Sequence, residues 1–345
     1  MKKRWHVLVA LVAAVCMLGL VFAGCGSTAS DKPKAGGGPT GTVMIYTSIY
    51  PDIIEKVKPE MAKAFPNLDI QWFQGGTEKV ITKISGEVEA NRVQADLLMV
   101  ADPSYYLTLK EKNLLYKYDA PNRKDVVLPK DEEGYWTPVR ISNMIIAYNT
   151  KKISDADAPK SWQDLLDPKW KGKIGMPSPL LSGTAYVTAG ALSDKYGWDY
   201  FSALKNNGLK VEEGNSALQN KLLTGEYDIV IILEENILKM AGKGEPVKVV
   251  YPEDGTIIIP SPIAIFNTSQ NKEAAEAITN WWLSKEGQQA IVKGWMHSVR
   301  ADVEPPKGAP ALKTFMDKAV NADWNKLAKN AEQIKETFRA RILDK

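Results

Sequence analysis

Four short runs of hydroxyl and amide residues stand where helices are expected to begin: Thr47-Ser48, Gly76-Thr77, Ser182-Gly183-Thr184 and Asn215-Ser216. The first turn of a helix leaves backbone N–H groups unpaired and carries a partial positive charge, so such starts can hold an anion. Ser, Thr and Asn are also the preferred N-caps of helices, and each run taken singly reads first as a cap. Ser182-Gly183-Thr184 stands apart, because its glycine allows a ligand close to the backbone. Arg140 could pair with such an anion or with a surface carboxylate. Glu234-Glu235-Asn236 directly follows the apolar run Ile229-Val230-Ile231-Ile232-Leu233. Two readings are open there: a solvated strand end with a helix cap, or a site where Glu235 accepts from a ligand cation or hydroxyl. Tyr50 and Tyr186 are candidates for the wall of a site, whereas Trp72 reads as core.

Enzyme chemistry finds little support in the same residues. There is no His-Glu-x-x-His helix, no phosphate-binding Walker loop and no Gly-x-Ser-x-Gly elbow. The acidic pairs Glu132-Glu133 and Glu212-Glu213 read as surface features. His297 stands alone in a loop-like stretch and reads as a surface or packing residue. Tyr105-Tyr106 reads mainly as core and site wall. No metal site and no cofactor is expected. An exported enzyme acting on phosphate esters is the rival of another class, and a surface adhesin is a third.

The elements that must carry these residues alternate strand and helix. Thr42-Val43-Met44-Ile45-Tyr46 is a short apolar strand, and Pro51 opens an amphipathic helix through Ile54, Val57, Met61 and Phe65. Residues 68–73 and 95–100 read as strands, and further helices start after Thr77 and at Asp102-Pro103-Ser104. The pattern recurs after Trp162: a strand at Ile174-Gly175-Met176, helices from Gly183 and Ser216, and the strand before Glu234. Alternation of this kind predicts an α/β fold built from parallel βαβ units, in which helix starts gather at the carboxyl ends of the strands. Residues 144–148 and 263–266, the latter after the breaker run Pro260-Ser261-Pro262, read as crossings between two lobes. The expected division is 42–143 with 264–345 in lobe 1, and 144–263 in lobe 2 with the crossings. A last helix, about 323–343, is expected on the outside of lobe 1.

At the other end, Lys2, Lys3 and Arg4 precede a mostly apolar run from Val7 to Phe22. That order, closed by small residues, is a secretion signal. The run falls short of the about 20 apolar residues of a membrane-spanning helix. Phe22-Ala23-Gly24-Cys25 is similar to a bacterial lipobox, which implies cleavage after residue 24, diacylation of Cys25, and a lipid anchor outside the cytoplasmic membrane. Residues 25–41, rich in Gly, Ser, Thr, Lys and Pro, read as a flexible linker. Cys16 leaves with the signal, so the rest of the chain has no thiol for a disulfide or a nucleophile. Loss of the three leading cations takes Lys+Arg from 44 to 41, equal to the 41 Asp+Glu. A neutral chain carries no basic field for nucleic acid. With 44% hydrophobic residues and ten Trp, a large core is within reach.

An ordered set of passages then resembles the extracellular solute-binding proteins of ABC importers, in the ferric-ion, phosphosugar and phosphonate branch. It runs through Ile45-Tyr46-Thr47-Ser48, Ala95-Asp96-Leu97-Leu98, Pro138-Val139-Arg140, Tyr148-Asn149-Thr150, Ser161-Trp162-Gln163-Asp164-Leu165, and Pro168-Lys169-Trp170-Lys171-Gly172-Lys173-Ile174. Ser182-Gly183-Thr184-Ala185, Leu223-Thr224-Gly225-Glu226-Tyr227-Asp228 and Ser284-Lys285-Glu286-Gly287-Gln288 complete it. The resemblance implies a two-lobe periplasmic-binding-protein fold that closes on a small ligand. It further implies a monomer that delivers this ligand to a membrane permease. It places an anion contact at Ser182-Gly183-Thr184. The ferric branch uses a tyrosine pair that falls here on Glu235-Asn236, so ferric iron is implied only as the alternative. Expected ligand residues are Thr47, Ser48, Thr77, Ser182, Gly183, Thr184, Asn215, Glu235 and Asn236, with Tyr50, Arg140 and Tyr186 behind them. A phosphate end on the helix starts and an amine or hydroxyl end on Glu235 would suit 2-aminoethylphosphonate or a sugar phosphate.

Overall fold

The structure, a computed structural model, describes residues 38–344. The secretion signal, Cys25 and the linker up to residue 37 lie outside the described residues. The chain runs β1 (Gly41–Thr47), α1 (Pro51–Ala64), β2 (Leu68–Gln74), α2 (Thr77–Glu89), β3 (Leu97–Met99), α3 (Pro103–Glu111) and β4 (Leu115–Tyr116). It continues through β5 (Thr137–Asn149), β6 (Ile174–Pro177), α4 (Gly183–Tyr196), α5 (Trp198–Asn206), β7 (Lys210–Glu212), α6 (Asn215–Thr224) and β8 (Ile229–Leu233). Then come α7 (Glu234–Gly242), β9 (Val247–Val250), β10 (Ile257–Phe266), α8 (Lys272–Leu283), α9 (Lys285–Lys293), α10 (Lys313–Met316), α11 (Trp324–Lys329) and α12 (Ala331–Phe338).

The strands join in the order β2-β1-β3-β10-β5-β8-β6-β7, with β4 on β10 and β9 on β5. β1 pairs in parallel with β2 and β3, and β6 in parallel with β7 and β8, as expected of βαβ units. The two parallel groups are joined by long antiparallel strands, β5 and β10. Both strands are longer than the crossings expected from sequence. Their first-met halves pair with each other; then β5 passes on to β8 and β9, and β10 to β3 and β4. The register shifts between Ser261 and Pro262, next to the facing prolines Pro262 and Pro138. Proline has no N–H to give to a ladder, so the sheet is weakest where it changes partners.

Each parallel group has its own core. The first gathers Val43, Ile45, Ile53, Val57, Leu97, Ile265, Ile278 and Trp282, with a second layer around Tyr46, Val80, Leu98 and Tyr106. The other gathers Met144, Ile146, Trp162, Ile174, Tyr186, Phe201, Ile229 and Ile231, with Leu218, Ile232 and Ile237 on the far face of the sheet.

The end of the chain departs from expectation. Residues 324–343 form two helices and a terminal π-turn rather than one helix. They complete the second core, not the first: Leu327, Ile334, Phe338 and Ile342 all pack there, as does Val320 just ahead of them. The Phe338 ring meets Phe201 edge-on at 5.7 Å, and the Tyr186 hydroxyl donates to the Leu327 carbonyl at 2.6 Å. Leu327 lies so close over Gly190 that any side chain there would collide with it. The same segment reaches back to the first group, where Lys335 pairs with Glu78 of α2 at 2.6 Å. Apolar spacing alone places a helix on some core without saying which.

Candidate anion-binding site

Between the two parallel groups lies a cavity of about 380 Å³, lined from both. Ser48, Tyr50 and Pro51 reach it from the turn between β1 and α1, and Gln74, Gly76 and Thr77 from the turn between β2 and α2. Ala101 follows β3. From the other group come Leu181, Ser182 and Thr184 at the start of α4, Glu213 to Ala217 around the start of α6, and Leu233 and Glu235 at the start of α7. Arg140 enters from β5.

The helix starts carry the chemistry. α1, α2, α6 and α7 begin on Tyr50, Gly76, Gly214 and Leu233, and none of the four receives a side-chain cap. Of the two readings open for the hydroxyl and amide runs at α1, α2 and α6, side-chain capping is therefore not the one seen. Only α4 keeps one, with Ser182 Oγ accepting from the Ala185 amide at 3.4 Å. First-turn N–H groups without a protein cap remain open to another acceptor, and several such starts facing one cavity form a positive pocket. The hydroxyls at α4 are wired instead. Ser182 Oγ lies 3.1 Å from Thr184 Oγ1, which accepts from Asn215 Nδ2 at 3.3 Å, while Asn215 Oδ1 accepts from the Leu233 amide at 3.2 Å. That chain locks α4, α6 and the end of β8 together.

Arg140 is 3% exposed and Glu235 is 4% exposed. Arg140 Nη1 donates to Ser142 Oγ at 2.8 Å and lies 3.7 Å from Glu235 Oε1. Burial lowers the guanidinium's affinity for its proton, and the Glu235 charge counters this. Burial pushes the Glu235 carboxyl up to about 7, against the pull of Arg140. Tyr50 is held far above the usual phenol range by burial, then by the Glu235 charge.

Not every expected residue reaches the cavity. Ser48, Thr77, Ser182, Thr184, Asn215, Glu235, Tyr50 and Arg140 line it. Thr47 does not: it ends β1, and its hydroxyl donates to the Met99 carbonyl at 2.9 Å. Gly183 faces Thr77 across the gap rather than the cavity. Asn236 is buried behind the wall, donating to Gln219 at 3.0 Å. Tyr186 is core, spent on Leu327. His297, expected at the surface or in packing, is buried and bonded to Glu234 at 3.1 Å. Glu234 also accepts from Tyr251 and from Asn143 Nδ2 at 3.3 Å, which fixes the start of α7. Gln74, Gly76, Glu213, Gly214 and Leu181 line the cavity without having been singled out for it, except that Gly76 stood in a helix-start run. Their signal was present only as position, in the turns that lead from strand ends to helix starts. Among the described residues, no three His, Cys, Asp or Glu side chains converge as a metal site, and no helix is long and apolar enough to cross a membrane.

The sequence matches the family of bacterial extracellular solute-binding proteins over residues 93–330. The chain belongs to that family and is the solute-binding component of an ABC importer. Among its relatives is a periplasmic protein of Salmonella typhimurium named for 2-aminoethylphosphonate binding, 28% identical over 69% of this chain and 72% of the relative. Another is an Fe(3+)-binding periplasmic protein of Serratia marcescens, 24% identical over 65% of this chain and 73% of the other. In fold, the chain is similar to the periplasmic binding protein AfuA of Actinobacillus pleuropneumoniae, solved with fructose 6-phosphate. The TM-score is 0.79 at 23% identity, covering 88% of this chain and 99% of that one. Iron-bound HitA of Pseudomonas aeruginosa matches with a TM-score of 0.75 at 22% identity, over 86% and 99% of the two chains. The fold is the two-lobe periplasmic-binding-protein fold.

Proposed function

We propose that the cavity captures a small phosphorylated or phosphonate anion, such as 2-aminoethylphosphonate or a sugar phosphate, for delivery to the permease. One observation carries this reading: four helix starts without side-chain caps and the buried Arg140 meet at one cavity, with Glu235 beside them. The anionic end takes the backbone donors and Arg140; a ligand ammonium or hydroxyl takes Glu235. The lobes, divided near 144 and 263 on the crossing strands, close by rotation about the proline-interrupted pairing of β5 and β10. The binding event needs no covalent step. Ferric iron is the poorer fit, because Arg140 stands 3.7 Å from Glu235 and repels a cation bound there.

Titration calorimetry and thermal shift against phosphonates, sugar phosphates, inorganic phosphate, thiamine and ferric citrate test the reading. A cognate ligand at 100 times its dissociation constant stabilises the protein by about 2.7 kcal/mol. The expected outcome is stoichiometric binding of an organophosphorus anion without turnover, and no visible charge-transfer band with ferric citrate. A strong visible band that disappears on Tyr50→Phe would establish iron in its place.

The same reading puts the protein outside the cytoplasmic membrane on a lipid anchor at Cys25. Cys25→Ser is then expected to move it from the membrane fraction to the soluble fraction, because acylation needs the thiol. Unchanged membrane retention and unchanged lipid labelling would remove the anchor from the proposal.

A further inference from the structure

Glu235 places a buried carboxylate on the wall of a cavity read as taking an anion. Its carboxylate lies 3.7 Å from Arg140 Nη1, a separation that makes an ion pair but no hydrogen bond. Arg140 turns its better hydrogen bond to Ser142 and only a long one, 3.5 Å, to Ser48 on the cavity wall. The guanidinium is therefore neutralised without being saturated.

A second cation, Lys239 of its own helix, also acts on Glu235, but more weakly than Arg140. From the segment ahead of α1 comes the Tyr50 phenol, protonated at any ordinary pH. On its own helix, Glu234 is already held by His297 and Tyr251, and Lys239 is committed to Asp52 at 2.9 Å. From the loop before α6, Glu213 adds another carboxylate at the cavity mouth. With Arg140 at plus one and Glu235 at minus one, an added phosphate leaves a net negative charge in a buried space. Desolvation makes that costly, and protonation is the ordinary escape.

We infer that Glu235 is the resident counter-ion of Arg140, and that an anion lacking an amine enters only with a proton, which Glu235 takes up, whereas a ligand with its own ammonium group enters without one. The inference rests on the anion reading given above. The proton comes from solvent to a Glu235 carboxylate oxygen on binding and returns on release; no other bond changes. Burial has already brought the carboxyl close to neutrality, so the uptake is cheap near pH 7. Glu235 is thereby a selector: above neutral pH it favours zwitterions over plain phosphate esters and phosphonates.

The test is calorimetry on the full-length protein with a matched pair, ethylphosphonate and 2-aminoethylphosphonate. Titrations run from pH 6 to 8.5 in buffers of different ionisation enthalpy, which yields the protons taken up. Glu235→Gln is run beside the wild type to subtract each ligand's own titration. For ethylphosphonate we expect up to about one extra proton in the wild type, and affinity falling towards about 10-fold per pH unit above 7. Glu235→Gln should abolish both and bind ethylphosphonate more tightly than wild type at pH 8. For 2-aminoethylphosphonate the wild type should take up no extra proton. Should Glu235→Gln fail to fold, the difference in proton uptake between the two ligands on wild type alone decides. Equal proton counts for the two ligands, once corrected for their free-solution titration, overturn the inference and leave the anion reading standing. If neither ligand nor fructose 6-phosphate binds at any pH, the anion reading falls and the inference with it.

Discussion

Arg140→Met is expected to weaken anion binding by about 30-fold to more than 1,000-fold, the range for truncating one partner of a buried, charge-assisted contact. Among the described residues, Arg140 is the one side-chain cation on the cavity wall, and it sits on a crossing strand shared by both lobes. The substitution also strips Glu235 of its counter-charge. Glu235 escapes by staying protonated, so its cost depends on pH. Its folded pKa is raised above the ordinary 4.5, to about 7 even with Arg140 present. A raised acid favours the folded state fully below its unfolded pKa, and that contribution fades as pH climbs through the folded value. Wild-type stability from this group therefore falls between about 4.5 and 7, and in Arg140→Met the fall continues to higher pH. Calorimetric affinity together with thermal melts from pH 5 to 9 checks both parts. Undiminished affinity for a ligand that wild type binds would remove Arg140 from the site.

Gly183→Ala should prop the cleft open. A β-carbon at 183 would lie 2.6 Å from Thr77 Cγ2 and 2.8 Å from Thr77 Cβ, contacts that real β-carbons essentially never make. Gly183 begins α4 of one lobe and Thr77 begins α2 of the other, so the collision acts only where the lobes meet. Affinity should fall by about 10- to 100-fold, mainly through faster release. Small-angle scattering should show a ligand-saturated radius of gyration above that of wild type. Thr77→Gly makes room again, so adding it to Gly183→Ala should cost no more than Thr77→Gly alone. Additive losses in that cycle would mean that the glycine serves something other than closure.

Much of this architecture is readable from residue order. Alternating apolar runs and helix openings announce parallel βαβ units, and Pro260-Ser261-Pro262 marks the place where β10 changes partners. The site is legible as four helix starts, because ligands collect at the carboxyl ends of strands. What escapes is any feature set by contacts distant in sequence. The spacing of Leu327, Ile334 and Phe338 predicts a buried helix face, yet only the fold decides that it covers Phe201 and Tyr186. His297 looks like a lone loop histidine, since its partner Glu234 is sixty-three positions away. Local preference for Ser, Thr and Asn caps suggests capped helices at α1, α2 and α6, whereas the chain begins them on Tyr50, Gly76 and Gly214. A withheld cap leaves no positive mark in a sequence.

The second core takes a wall from residues 320–342, long after the chain has built the rest of that core and returned to the first. A chain that stops before residue 320 would thus leave uncovered the side of Phe201 that meets Phe338 and the Tyr186 hydroxyl that meets Leu327. That lobe cannot be completed in order along the chain: its packing waits for a segment that emerges after most of the other lobe.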